Sequence, residues 1–164
     1  MEIRKAAAQD LAAIMAIVRQ AQDFFEAYGI EQWRDGYPNE AQLVNDIQKG
    51  EAFVVCEEEA TVGFAVLSLN RLAPREEASA ERYALVRLIA IDERFQSRGF
   101  ATELMDYADL VCKKSAIGCI RINIHPDNLA MRRTLKKCGF SKSEEVLGEG
   151  EEPFWQYEKQ IKPF

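Results

Sequence analysis

Apolar residues return at Leu11, Ile14, Val18, Ala21 and Phe25 in the segment Gln9 to Ala27. Steps of three and four place them on one face of an amphipathic helix. The start of that helix is weakly signalled, because alanines stand where Ser or Thr would cap. "MEIRKA" before it reads as a short strand. "YGIEQWRDGYPN" after it reads as an exposed, aromatic loop. Asn39 then caps a second helix, with Gln42 at the capping-box position, Leu43 and Ile47 on the apolar face and Gly50 at the end. "AFVVCEEE" and "TVGFAVLSLN" form a hairpin across a short acidic turn. "RLAPREEASAER" is a charged connection. "YALVRLIAI" is almost wholly apolar, as expected of a central strand covered on both faces.

A third helix is expected from about Gly99 to Ser115, with its stripe at Ala101, Leu104, Met105, Ala108, Val111 and Cys112. "CIRINIH" alternates, with Ile120, Ile122 and Ile124 on one face and Arg121, Asn123 and His125 on the other. "PDNLAMRRTLKKCGF" is a short helix ended by Gly139. The tail from Phe140 folds as two strands around a Gly/Glu turn. The order is β-α-α-β-β-β-α-β-α-β-β. No linker or repeat interrupts it, so residues 1–164 read as one α/β domain. The unit from Tyr83 to His125 forms a right-handed crossover.

Composition narrows the function. Lys+Arg 21 against Asp+Glu 27 gives a net charge of −6, which argues against nucleic-acid binding. A local basic patch still suits a small phosphorylated ligand. Cys56, Cys112, Cys119 and Cys138 lie far apart, and His125 is the one histidine. That pattern fits neither a zinc site nor a disulfide scaffold, and no metal is expected. It fits reduced, buried thiols in a cytoplasmic protein. The charged N-terminus does not read as a signal peptide. No apolar run approaches the ~20 residues of a membrane helix.

The stretch "QSRGFA" holds the clearest chemistry. It leads from a buried strand into a helix, where unpaired N–H groups and the positive end of the dipole meet an anion. Gly99 permits close backbone approach, Ala101 keeps the wall low and Arg98 adds a cation. A plain strand-to-helix turn is the alternative. Neither a Walker loop nor a G-x-G-x-x-G fingerprint is present.

With these residues the chain resembles the GCN5-related N-acetyltransferase (GNAT) family. The family's signature Gln/Arg-x-x-Gly-x-Gly/Ala is matched by Gln96, Gly99 and Ala101, and the apolar "RLIAI" precedes it at the family's spacing. "HPDNLAMRRTLKKCGF" is similar to the family's Asn-containing helix ending in Gly-Phe. The resemblance implies the GNAT fold, a central mixed β-sheet of about six to seven strands flanked by about four helices. It implies that the turn Gln96, Ser97, Arg98, Gly99, Phe100, Ala101 and Thr102 holds the pyrophosphate of acetyl-CoA. It implies that the backbone of Ile89, Ala90 and Ile91 pairs with the pantetheine arm, the Ile91 N–H polarising the thioester carbonyl. Asn128 would bond the pantetheine, cap the following helix, or do both. Arg132, with Arg133 and Lys136 nearby, would reach CoA phosphates or form a solvated face.

One family feature is missing. Leu135 stands where many members carry the tyrosine that protonates the departing thiolate. Leu135 also continues the stripe Met131, Leu135, Cys138 and reads as core. Water, His125, Tyr107 or Tyr157 would have to serve instead. His125 is the best catalytic candidate, since imidazole can take a proton near neutral pH. A subgroup of these transferases has a similar I-H-x-D-N segment, often with Asp where Asn123 stands. The alternative is that His125 only shapes the strand end. Trp33 and Tyr37 with Glu31 and Asp35 would line a pocket for a cationic amine, or plug the core.

The resemblance implies an N-acetyltransferase moving acetyl from acetyl-CoA to a primary amine. The acceptor is expected to be small or cationic, nucleic acid and membrane are not expected partners, and a homodimer is compatible with the sequence. A non-catalytic acyl-CoA-binding protein of the same fold is the alternative. A protein-interaction module without a CoA site is a third reading, against which "QSRGFA" speaks.

Overall fold

A computed structural model of the chain describes residues 1–72, 82–147 and 153–162, with the Asn70 side chain excepted. Most of the charged connection after the hairpin and the Gly/Glu turn of the tail lie outside the described residues. Among the described residues, seven strands and four α-helices follow in the expected order: β1 (Glu2–Lys5), α1 (Leu11–Ala27), α2 (Glu40–Gln48), β2 (Ala52–Glu57), β3 (Ala60–Leu72), β4 (Arg82–Ile91), α3 (Phe100–Lys114), β5 (Cys119–Ile124), α4 (Leu129–Lys137), β6 (Ser141–Leu147) and β7 (Pro153–Gln160). The strands form one sheet in the order β1-β2-β3-β4-β5-β7-β6. β4 and β5 run parallel, while β1–β2, β2–β3, β5–β7 and β6–β7 are antiparallel, so the sheet is mixed.

The chain divides into two compact units, Met1–Val66 with Leu88–Leu104, and Leu67–Arg87 with Met105–Phe164. In the first, β2 alternates between two apolar clusters. Ala52, Val54 and Cys56 face Ile14, Ile17, Val18 and Leu43 of α1 and α2. Val55 faces Phe100 and Leu104 at the start of α3. The α2 start is the expected capping box: Gln42 N–H donates to Asn39 Oδ1 at 2.9 Å, and Asn39 N–H donates to Gln42 Oε1 at 2.8 Å.

The start of α1 works differently from the sequence expectation. A 3-10 turn at Ala8–Asp10 precedes it, and the α-helix begins at Leu11 rather than Gln9. Asp10 supplies the missing acceptor by reaching back, taking the Ala7 N–H at 2.7 Å. Its two oxygens also accept both terminal nitrogens of Arg4, at 2.7 and 3.0 Å. This fork fixes β1 to the helix start. The Arg4 guanidinium, helped by the Ala7 N–H, holds the buried Asp10 carboxyl below the usual carboxylate range despite desolvation.

The acidic turn of the hairpin holds Glu58 and Glu59 at φ 49° and 69°. Two successive left-handed residues give the turn hand that matches strand twist. The sequence lacks the glycine that would adopt it without strain.

In the second unit the alternation of β5 is only half what the pattern suggested. Ile120, Ile122 and Ile124 are buried as expected, but Arg121 is only 4% exposed. Its guanidinium is satisfied by Glu158 at 3.1 Å and lies 4.4 Å from the Tyr83 ring centroid. A buried charge requires such partners, so the polar face of β5 is internal at Arg121 and His125, while Asn123 is exposed as expected. Lys159 adds a 2.7 Å bond from β7 to Asp109 of α3.

The Arg4–Asp10 fork makes a pH prediction. A carboxyl depressed on folding contributes stability above its unfolded value and loses it as pH falls through the folded value. Asp10→Asn should cost about 1–3 kcal/mol at neutral pH in urea titrations, since it removes a charge-assisted pair. The gap from wild type should narrow between about pH 5 and about pH 2. A gap that is constant with pH would contradict the ionic role.

Candidate active site

In the first unit, the end of β4 is pressed against β3. Gly63 makes this possible: a Cβ there would lie 2.5 Å from Ile91 Cδ1 and 3.1 Å from the Ala90 carbonyl oxygen. Ile89 and Ile91 direct their side chains to one apolar cluster and Ala90 to the other. The chain then leaves the sheet under tight control. Asp92 N–H donates to the Val62 carbonyl at 2.8 Å. The Asp92 carboxylate caps the 3-10 turn Glu93–Phe95 by accepting the Arg94 N–H at 2.9 Å. It also holds the Arg94 guanidinium at 3.0 and 3.1 Å, which keeps the buried carboxyl below its usual range. Gln20 of α1 accepts the Glu93 N–H at 2.9 Å.

This clamp delivers the turn Gln96–Gly99 to the start of α3. Gln96 ties back to the Ile91 carbonyl at 3.3 Å. Ser97 and Gly99 have φ 63° and 85°. Phe100 is the buried anchor, edge-on to Phe95 at 6.3 Å. The first intrahelical bond runs from Glu103 N–H to the Gly99 carbonyl at 3.0 Å. The N–H groups of Phe100, Ala101 and Thr102 therefore have no acceptor within the helix. Gln96, Ser97, Arg98 and Gly99 are exposed, and no atom lies within 4 Å of a Cβ built on Gly99. Arg98 arches over the Phe95 ring at 5.2 Å, beside these donors. The result is an open cradle of backbone donors with one guanidinium nearby, an arrangement fit for an anion.

Sequence reasoning missed Gly63, Asp92 and Gln20. A lone glycine inside a strand signals close backbone approach, and an Asp before a turn signals a cap. Gln20, a contact distant in sequence, had no local signal.

The second unit holds the other candidates. His125 is 8% exposed. Its Nδ1 accepts the Asp127 N–H at 3.1 Å, and its ring meets Phe154 edge-on at 6.2 Å. A backbone donor at Nδ1 places the proton of the neutral ring on Nε2. The Asn128 N–H donates to the His125 carbonyl at 3.0 Å, and Asn128 Oδ1 caps α4 by accepting the Met131 N–H at 3.2 Å. Arg132 donates to the Pro126 carbonyl at 3.1 Å and stacks 4.7 Å from the Trp155 ring centroid. Arg133 and Lys136 are exposed. Leu135 is fully buried in the stripe with Met131 and Cys138. Tyr157 is buried and Tyr107 half-buried.

In the α1–α2 loop, Trp33 packs on the first unit's core, edge-on to Phe25 at 5.9 Å and tilted to Phe64 at 6.4 Å. Tyr37 and Asp35 are exposed, and Glu31 pairs with Arg34 at 3.1 Å. The predicted residues thus gather in two sets, Ile89–Ile91 with Gln96–Thr102 in one unit and His125, Asn128 and Arg132 in the other.

The sequence profile described as the Acetyltransferase (GNAT) family matches residues 14–140. The chain belongs to the GNAT acetyltransferase family. Solved structures share its fold. A GNAT-family acetyltransferase from Streptococcus agalactiae is 24% identical over 99% of this chain and 96% of its own, with a TM-score of 0.84. A ribosomal-protein-alanine N-acetyltransferase from Brucella melitensis is 18% identical over 98% and 100%, with a TM-score of 0.77. The PaiA N-acetyltransferase of Thermoplasma acidophilum, solved in complex with coenzyme A, is 20% identical over 97% and 98%, with a TM-score of 0.75. Among curated proteins, no sequence matches the chain. The open mixed sheet with four helices is the GNAT architecture.

Leu135 gives a prediction. Its complete burial in this GNAT chain means that Leu135→Ala should cost ~2–5 kcal/mol by chemical denaturation. A loss below ~1 kcal/mol would show that the position is not core.

Proposed function

We propose that this GNAT protein is an N-acetyltransferase, one catalytic domain that transfers acetyl from acetyl-CoA to a primary amine by direct attack in a ternary complex. The observation that carries the reading is the Gln96–Thr102 cradle: a left-handed, unobstructed Gly99, three helix-start N–H groups and Arg98 beside them. It suits a pyrophosphate in reach and charge. The family and a relative crystallised with coenzyme A support the same ligand. Acetyl-CoA, when bound, supplies an activated thioester acyl group, and no metal is part of the proposal. The four cysteines are buried and outside any disulfide, which accords with a cytoplasmic setting.

The chain's own work in this reading is positioning and polarisation. Backbone groups of Ile89, Ala90 and Ile91 hold the pantetheine arm, and the Ile91 N–H points its dipole at the carbonyl. Gly63 and the Asp92 clamp keep that backbone fixed. Asn128 keeps its capping role and adds a pantetheine contact. Arg132 acts on the CoA phosphates only by leaving Trp155, so the reading gives it the smaller share. Leu135 offers no proton, so the departing thiolate takes one from solvent or from Tyr107 or Tyr157. For His125 we favour the strand-end role over the base. Its Nδ1 already accepts a backbone N–H, and the neutral ring keeps its proton on Nε2.

Two experiments test this. Gly99→Glu should abolish CoA binding in calorimetry while the protein stays folded, through bulk and like charge at the cradle. Unchanged affinity in a folded variant would remove the site. His125→Asn keeps an acceptor for the Asp127 N–H but cannot ionise. With one accepted amine, its kcat/KM should follow the wild-type pH profile within a few-fold. Loss of a pH limb together with a ~10²–10⁴-fold slower rate would restore His125 as the base.

A further inference from the structure

The C-terminal end of α1 carries two exposed aromatic rings, Phe24 at 51% and Tyr28 at 71% exposure. They stand one helical turn apart with centroids 4.6 Å from each other. The pair is anchored from below. Phe24 meets the buried Phe25 edge-on at 5.9 Å, and Phe25 meets Trp33, which packs on the core residue Phe64. A ladder of rings therefore runs from the core to the surface and ends in a rigid aromatic face. Rigid rings offer contact area at small entropic cost, which is why they are enriched at interfaces.

The charge around the rings is one-sided. A helix C-terminus is the negative end of its dipole and is normally matched by a base. The last turn of α1 has none, and it carries Glu26 instead. Asp23 adjoins Phe24, and both acids are exposed. Residues 20–40 hold five carboxylates against one arginine, a net of −4 within the chain's −6. That arginine, Arg34, is paired with Glu31. Exposed rings framed by unmatched negative charge attract Lys and Arg through Coulomb and cation–π terms together.

We propose that this end of α1 docks a lysine- and arginine-rich polypeptide segment. Rings this exposed on a helix surface form a face rather than the concavity that encloses a small ligand, which selects a polypeptide over a free polyamine. A second copy of the chain would bring the same negative charge, which selects against self-association. The docking stands independently of acetyl transfer.

The test uses the full-length protein and a fluorescent Lys/Arg/Gly peptide with blocked ends. Its Glu-substituted counterpart and spermine are the control probes. The cationic peptide should bind, more weakly as salt rises, while the acidic peptide does not. Phe24→Ser with Tyr28→Ser, and separately Asp23→Asn with Glu26→Gln, should each weaken it by about tenfold at unchanged Tm. Peptide binding that is equal in wild type and both variants overturns the proposal. So does spermine binding as tightly as the peptide, or a wild-type dimer that the aromatic variant dissociates. CoA affinity is measured in the same samples. Peptide docking in a protein that fails to bind CoA supports this proposal while removing the acetyl-CoA reading.

Discussion

The close approach of β3 to the end of β4 at Gly63 is the constraint on which the candidate site rests. Any side chain there would strike Ile91 and crowd the Ala90 carbonyl. With only hydrogen at that position, the last residues of β4 stay seated between two apolar clusters. Asp92 then turns the chain, held by Val62 and Arg94, and α3 begins at a defined place. The unpaired N–H groups of its first turn are useful only because this seating fixes them. A cradle of backbone donors has no side-chain adaptability, so its scaffold must be stiff.

The same economy applies at the other candidate residues. His125 and Asn128 spend hydrogen-bonding groups on ending β5 and starting α4. Arg132 bonds Pro126 and covers Trp155. These side chains are structural before they are anything else. In the proposed mechanism that is no handicap, because transfer to a bound amine needs placement and a polarised carbonyl more than a strong acid or base.

Much of this was legible in the sequence. Helical stripes, the Asn39–Gln42 capping box and the succession of elements along the chain were visible because each is local, repeated or signalled by a cap. The turn at Gly99 was visible through the pattern Gln96, Gly99 and Ala101 after a buried strand, since one glycine beside one arginine also suits a plain strand-to-helix turn. What escaped was tertiary. Asp10 replaces the absent cap of α1 through a fork with Arg4, a contact between elements that no local pattern announces. Arg121 sat at a polar position of an alternating strand, yet its partners Tyr83 and Glu158 lie on other strands and bury it. Gln20 reaches the Glu93 N–H from a distant helix. In each case a polar residue is explained by a partner on another element.

The central claim is that backbone N–H groups at the start of α3 bind the pyrophosphate of CoA. Amide chemical shifts followed during CoA titration of the folded protein test it most directly. The account predicts that the Gly99, Phe100, Ala101 and Thr102 resonances move most, and that pantetheine, which lacks the pyrophosphate, leaves them nearly unmoved. Saturable CoA binding with those four resonances unchanged would contradict it.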